Sequence, residues 1–258
     1  MINSVLKAIR VLNLFSAAEP RLSLTAISTR LDMPKSTTHN MLNTLLSQGY
    51  IERVDGDLYA LGTAPLVLSQ SIRVNVELRD PAAPLLRKLA DRTHESTYLT
   101  VLDGDFVLYI YAIESPRRLE ARTAIGDRAR LHCTSVGKAI LAHLPDERVD
   151  EIIARNGLPM YTENTITDRP ALDEALVTIR SRGFAVDNSE HELDTYCIGA
   201  PIFNSHGQVL GACSISGVDS EIVGSRLQDV AGQVVQTAQR ISRHMGYVPM
   251  RVPMPARV

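Results

Sequence analysis

The segment LHCTSVGKAILAHL, residues 131–144, brings Thr134, Ser135, Gly137 and Lys138 together at what reads as a helix start. Free N–H groups there could hold a small anion such as a carboxylate. Thr134 or Ser135 could equally serve only to cap the helix. The glycine spacing of a phosphate-binding loop is missing. Further on, VLGACSISG alternates so that Leu210, Ala212, Ser214 and Ser216 share one strand face, with Val209, Gly211, Cys213 and Ile215 on the other. Two serines on one face at a strand end can donate hydrogen bonds into a pocket, or bond locally. Cys197 shares a face with Gly199 in the neighbouring strand, and Asp187 ends the strand before it. Together these groups would line a polar cavity floor closed by the 134–138 helix start; otherwise Cys197 is a small buried hydrophobe.

Catalytic and metal chemistry find less support. The EHE run at 190–192 and the HC pair at 132–133 offer ligand types without a paired metal-ligand spacing, so no metal or cofactor is expected. A Cys133–His191 nucleophilic pair stays open as an alternative, a cysteine-based hydrolase or transferase, but no nucleophile elbow accompanies it. The three cysteines show no CxxC spacing, which fits a reducing cytoplasm. No apolar run reaches the roughly 18 residues of a membrane span, and the apolar N-terminus carries Lys7 and Arg10 without a small-residue cleavage site.

The elements that must position these groups fall into two sets. In residues 4–17, Val5, Ile9, Leu12 and Phe15 recur at helical spacing. Ser23 caps a second helix carrying Leu24, Ile27 and Leu31 inward. Met33-Pro34 breaks the chain, and a third helix over about 35–48 turns Met41, Leu42, Leu45 and Leu46 inward until Gly49 stops it. YIERV-DGD-LYALG is a hairpin around Asp-Gly. Three short helices and a hairpin make a winged helix-turn-helix. Its third helix would present Lys35, Ser36, Thr37, Thr38, His39, Asn40 and Asn43 to a DNA major groove, with Arg53 on the wing. Hydroxyls suit phosphates and asparagine amides suit adenine edges. No acidic residue lies between Met33 and Ile51, yet residues 1–62 hold six Lys/Arg against five Asp/Glu, so the attraction must be local and repeated by oligomerisation.

Residues 63–80 read as a linker helix with a break near Asn75 and a new start at Asp80-Pro81; such a helix often carries a dimer contact. Residues 81–247 read as an α+β module with a largely antiparallel sheet. TYLTVLDGDFVLYIYAI is a hairpin around Gly104-Asp105, and RLEARTAI a third strand. Helices follow in SVGKAILAHL, PDERVDEIIARNG and RPALDEALVTIRSRG. FAVDN, YCIGAPIFN and VLGACSISG are strands, and a helix from about Ser220 to Met245 closes the module. Residues 248–258 form an extended tail.

With the helix-turn-helix and LHCTSVGKA both in view, the chain resembles the IclR family of bacterial transcriptional regulators over about 4–247. Further anchors are LSLTAISTRLDMPKSTTHNMLNTLLSQGYIER, YALG, AIGDRARLHCTSVGKAILAHLP, YTENTITD, RGFAVDNSEHELDTYCIGAPIF and SISG. The resemblance implies a winged helix-turn-helix joined to a GAF/profilin-like effector-binding domain. It also implies dimers or tetramers on palindromic operators, no enzymatic activity, and a small organic acid as effector. In glyoxylate- or pyruvate-sensing members the ligand is held by an aspartate, a cysteine, two serines and a helix start. Asp187, Cys197, Ser214 and Ser216 stand where those side chains would fall, and Ser135, Val136, Gly137 and Lys138 match the helix start. One departure is Asn40, where the family pattern has arginine after the histidine; a phosphate or guanine contact is lost there. Four phenylalanines and no tryptophan disfavour an aromatic-lined pocket, although Tyr98, Tyr109 and Tyr111 remain available.

Overall fold

The computed structural model describes residues 1–16, 18–115 and 125–248. The chain divides into two compact units, Met1–Asn75 and Val76–Val258. The first contains α1 (Asn3–Leu12), β1 (Leu22–Ser23), α2 (Leu24–Arg30), α3 (Lys35–Ser47), β2 (Ile51–Val54), β3 (Leu58–Leu61) and α4 (Ala64–Gln70). Ser23 caps α2 by accepting the Ala26 N–H at 3.2 Å. The Asp55-Gly56 hairpin takes positive φ at both residues, as a tight turn between right-twisted strands requires. The wing gains a third strand that alternation did not reveal, because β1 is only two residues long and pairs with β3 through Leu22 and Tyr59.

Leu22, Ile27, Leu42 and Ile51 are fully buried in the core of this unit. The expected inward face of α1 is corrected in part, since Leu12 and Phe15 do pack into the core. Val11 and Phe15 enter the core, whereas Val5 and Ile9 stay half exposed. With apolar residues on more than one face, α1 has its buried side chosen by tertiary packing rather than by periodicity. The expected break near Asn75 also moves: helix α4 ends at Gln70, and a π-helical turn over Asn75–Arg79 runs directly into α5 (Asp80–Thr93). Pro81 cannot donate the hydrogen bond that would continue an ordinary turn, so the helix is widened just before it.

The second unit is built on a six-stranded antiparallel sheet. Its strands are β4 (Ser96–Asp103), β5 (Phe106–Ile113), β6 (Arg128–Arg130), β7 (Ala185–Asn188), β8 (Tyr196–Phe203) and β9 (Val209–Gly217), in the order β6-β5-β4-β9-β8-β7. One face carries α6 (Ser135–Leu141), α7 (Asp146–Asn156) and α8 (Arg169–Arg182) over a core that includes Val136, Ile140, Leu172 and Ile179. Helix α9 (Leu227–His244) packs on β8 and β9 and against α5. It starts later than the sequence pattern suggests. A short 3₁₀ turn at Ser220–Ile222, capped by Asp219, precedes it. The expected strand at 118–125 and tail at 248–258 fall, but for Ile125 and Val248, outside the described residues.

Gly199 lets this architecture close. A Cβ there would sit 2.7 Å from the Ser135 carbonyl carbon, so the bare backbone of β8 is what allows the start of α6 to lie against the sheet.

Candidate functional site

The recognition helix is positioned by a turn that leaves few ways to move. Ser28 donates its hydroxyl to the Met33 carbonyl at 2.6 Å, and the Met33 N–H returns to the Ser28 carbonyl at 3.0 Å. Asp32 takes the left-handed conformation between them. Helix α3 then starts after Pro34 with Lys35, Ser36, His39, Asn40 and Asn43 exposed and Thr37 half-buried. Thr38 is a correction. It is fully buried and donates to the Pro34 carbonyl at 3.1 Å, because Thr38, Leu42 and Leu45 form the inward row of the helix. Asn43 Nδ2 lies 3.3 Å from His39 Nδ1, which orients both side chains on the outer face. Thr44, exposed beside them and bonded to the Asn40 carbonyl, went unnoticed in the sequence. On the wing, the Arg53 guanidinium sits 5.5 Å from the centre of the Tyr59 ring and donates to its hydroxyl, so the cation is held on a rigid strand.

In the second unit, strand register assembles the other cluster. Ser96, Ser216, Cys197 and Asp187 are successive partners across β4, β9, β8 and β7; Tyr98, Ser214 and Gly199 form the next row. Directly paired residues share a face, so the two rows make one polar floor. Above it lies a cavity of about 190 Å³, roofed by Thr134, Ser135 and Val136 and walled by Tyr98, Tyr109 and His191. Ser135 and Ser214 are 2% and 3% exposed and line this cavity. Neither hydroxyl has a hydrogen-bond partner among the described residues. Both hydroxyls border the cavity and each can donate one hydrogen bond to a ligand held there.

Asp187 is buried beside them. Its Oδ1 accepts the Glu190 N–H at 2.8 Å, and burial pushes its carboxyl up to about 7 against the lowering pull of that hydrogen bond and of Lys138, with the Glu190 charge adding to the rise. Two of the expected residues leave the cavity. Lys138 turns away and forms a buried ion pair with Glu190, and Gly137 gives its N–H to the Thr134 hydroxyl at 3.1 Å. A Cβ on Gly137 would meet the Leu131 backbone, so the glycine is there for close packing. Thr134 is therefore the helix cap that one reading of the segment offered. Tyr98 donates to Glu114 and meets Tyr109 edge-to-face at 5.6 Å, while Tyr111 pairs with Leu99 and lies on the opposite face.

Cys133 and His191 do approach, Sγ to Nδ1 at 3.7 Å. Burial pushes the thiol up to about 12 and the imidazole down, so the pair is neutral and carries no activated thiolate. Among the described residues no group of three or more His, Cys, Asp or Glu is placed to hold a metal, and no helix is long and apolar enough to cross a membrane.

Comparison with known proteins gives the same division of the chain. The family model for the IclR helix-turn-helix domain matches residues 4–55, and that for the bacterial transcriptional regulator IclR C-terminal region matches residues 70–243. The chain is 35% identical over 238 residues to the HTH-type transcriptional regulator BhcR of Paracoccus denitrificans (strain Pd 1222), covering 92% of this chain and 85% of that one. It is 31% identical over 248 residues to XynR, an HTH-type transcriptional regulator of Escherichia coli (strain K12), covering 96% and 98%. The crystal structure of the Thermotoga maritima IclR superposes with a TM-score of 0.78 at 28% identity, covering 96% of this chain and all of that one. A helix-turn-helix unit followed by an α/β unit, matched along nearly its whole length by transcriptional regulators, makes this chain a transcriptional regulator of the IclR family.

Proposed function

We propose that the protein is a cytoplasmic repressor of small-molecule catabolism, which binds a palindromic operator as a homodimer or homotetramer and releases it on sensing a small organic acid. The observation that carries the sensing reading is that Ser135 and Ser214 turn hydroxyls without a protein partner among the described residues onto a cavity of about 190 Å³. That volume suits a ligand of few heavy atoms, below the usual range of drug-sized sites. Asp187, Cys197 and Ser216 complete a donor and acceptor set around it. Oligomerisation draws support from apolar side chains left exposed on α4, namely Leu66, Val67 and Leu68.

On the DNA side, Lys35, Ser36, Thr37, His39, Asn40, Asn43 and Arg53 are the proposed contacts. Asn43→Ala is expected to cost about 1–3 kcal/mol on the preferred operator and to relax base preference; Lys35→Ala is expected to weaken all sequences evenly and lower the salt slope by about one. Binding titrations on operator and random duplex, at several salt concentrations, separate the two. Equal losses for both variants on both duplexes would refute that division of labour.

The test of the reading as a whole is a mobility shift on the gene's own upstream fragment against scrambled duplex, with and without a panel of small acids. Specific retention that one acid alters is the expected result. Ser214→Ala should then keep its melting temperature and its ligand-free DNA affinity while losing about tenfold in affinity for the acid. No preference for the upstream fragment under any ionic or ligand condition would end the proposal.

A further inference from the structure

We propose that His39 is a positioning residue for DNA recognition, holding the Asn43 amide as a two-pronged fork for one adenine in each operator half-site. This rests on the reading of α3 as the recognition helix and narrows what that helix reads. His39 and Asn43 are both exposed and stand four residues apart, so they are neighbours on one face of the helix. Lys35, four residues earlier on the same ridge, is exposed as well, and α3 carries no acidic residue to repel a phosphate backbone.

Asn43 Nδ2 donates to His39 Nδ1 at 3.3 Å. An amide nitrogen can only donate, so Nδ1 is the bare nitrogen of a neutral ring whose proton sits on Nε2. The bond takes one of the two amide hydrogens. The second hydrogen and Oδ1 have no protein partner among the described residues. Adenine is the complement of that remaining pair: its N6 amino group donates to Oδ1 and its N7 accepts from Nδ2. The adenine edge uses the hydrogen on the oxygen's side of the amide, which leaves the one on the Cβ side for His39. Guanine keeps N7 but sets O6 against Oδ1, so an amide that is not free to turn rejects it. Holding the side chain in the free protein also removes an ordering cost that binding would otherwise meet. Asn40 lacks this brace. Its backbone carbonyl accepts from Thr44, but its side chain has no hydrogen-bond partner among the described residues, so the discriminating asparagine is Asn43.

The experiment selects a preferred duplex from a random library with the full wild-type chain, then titrates that duplex and versions with each A·T pair replaced by G·C. One replacement per half-site is expected to cost wild type about tenfold or more and Asn43→Ala under about twofold. In His39→Ala the same penalty should fall to about threefold, with the melting temperature unchanged because the residue is exposed. His39→Gln supplies an acceptor oxygen at the same i, i+4 spacing and should restore the penalty; His39→Lys, which can only donate, should not. Nitrogen-15 spectra of the histidines should show the His39 proton on Nε2. A penalty that stays near tenfold in His39→Ala, no rescue by glutamine, or a proton on Nδ1 overturns the positioning role and leaves DNA recognition by α3 intact. A selected duplex with no Asn43-dependent adenine does the same. If wild type selects no duplex at all, the recognition-helix reading falls with it.

Discussion

Replacing Lys138 by methionine is expected to lower the unfolding free energy by about 3–5 kcal/mol at neutral pH, the usual cost of stranding one member of a buried ion pair. The Lys138 and Glu190 side chains are 3% and 9% exposed, so water cannot take the ammonium's place. Burial already pushes the Glu190 carboxyl upward, and Lys138 is what pulls against it. With the lysine gone, Glu190 must either stay charged without a partner or take up a proton. Its folded pKa then lies well above the unfolded one, so the variant is most stable at low pH and loses stability as pH rises through that raised value. The deficit should therefore shrink at pH 5 and deepen at pH 8, read by urea unfolding of the full chain. Glu190→Gln in the same background should restore most of the loss. A deficit under about 1 kcal/mol would mean that solvent reaches the pair.

The consequence extends to the cavity, because Glu190 belongs to the loop that closes it. Its N–H is held by Asp187, and its carbonyl accepts from the Thr165 hydroxyl at 2.6 Å. Thr162 donates to the neighbouring Ser189 carbonyl, also at 2.6 Å. The next residue, His191, forms part of the cavity wall. The ion pair thus ties α6, which roofs the cavity, to the segment that walls it.

How much of this was legible in the sequence depends on the scale of the determinant. Caps, breaks and turn residues act within a few positions, so Ser23, Pro34, Gly49 and Asp55-Gly56 placed the winged unit well. Strict alternation in β9 likewise placed Ser214 and Ser216 on one face. Thr38 was misread because a threonine at a helix start can face either way until the inward row is fixed by packing. Tyr109 could not be placed, since a bulge between Leu99 and Thr100 shifts the β4–β5 register and carries Tyr109, instead of Ile110, to the cavity side. Lys138 looked like a ligand group because its partner lies 52 residues away and no local pattern joins them.

Affinity for an acidic ligand is expected to weaken up to tenfold per pH unit above about 7 and to level off below about 6. The cause is Asp187, whose buried carboxyl sits at about 7 in the folded chain against about 3.9 unfolded. Below that value it is neutral and can donate to a carboxylate or carbonyl oxygen. Above it, a second negative charge in a small buried space opposes the ligand's own. The neighbouring charges do not mimic this. Lys138 and Glu190 are spent on each other, and burial lowers His191, which is neutral through most of the window. The same group sets a stability trend in the free protein: its folded pKa is raised, so its contribution is complete below about 3.9 and is lost as pH rises through about 7. Asp187→Asn keeps the Oδ1 acceptor for the Glu190 N–H and removes the ionisation. It should bind with a flat pH profile and be more stable than wild type at pH 8 but not at pH 4. Calorimetric titration from pH 5.5 to 8.5 reads the first effect and thermal melting the second. A wild-type dissociation constant that stays level across that range, or a slope that survives in Asp187→Asn, would remove Asp187 from the binding step.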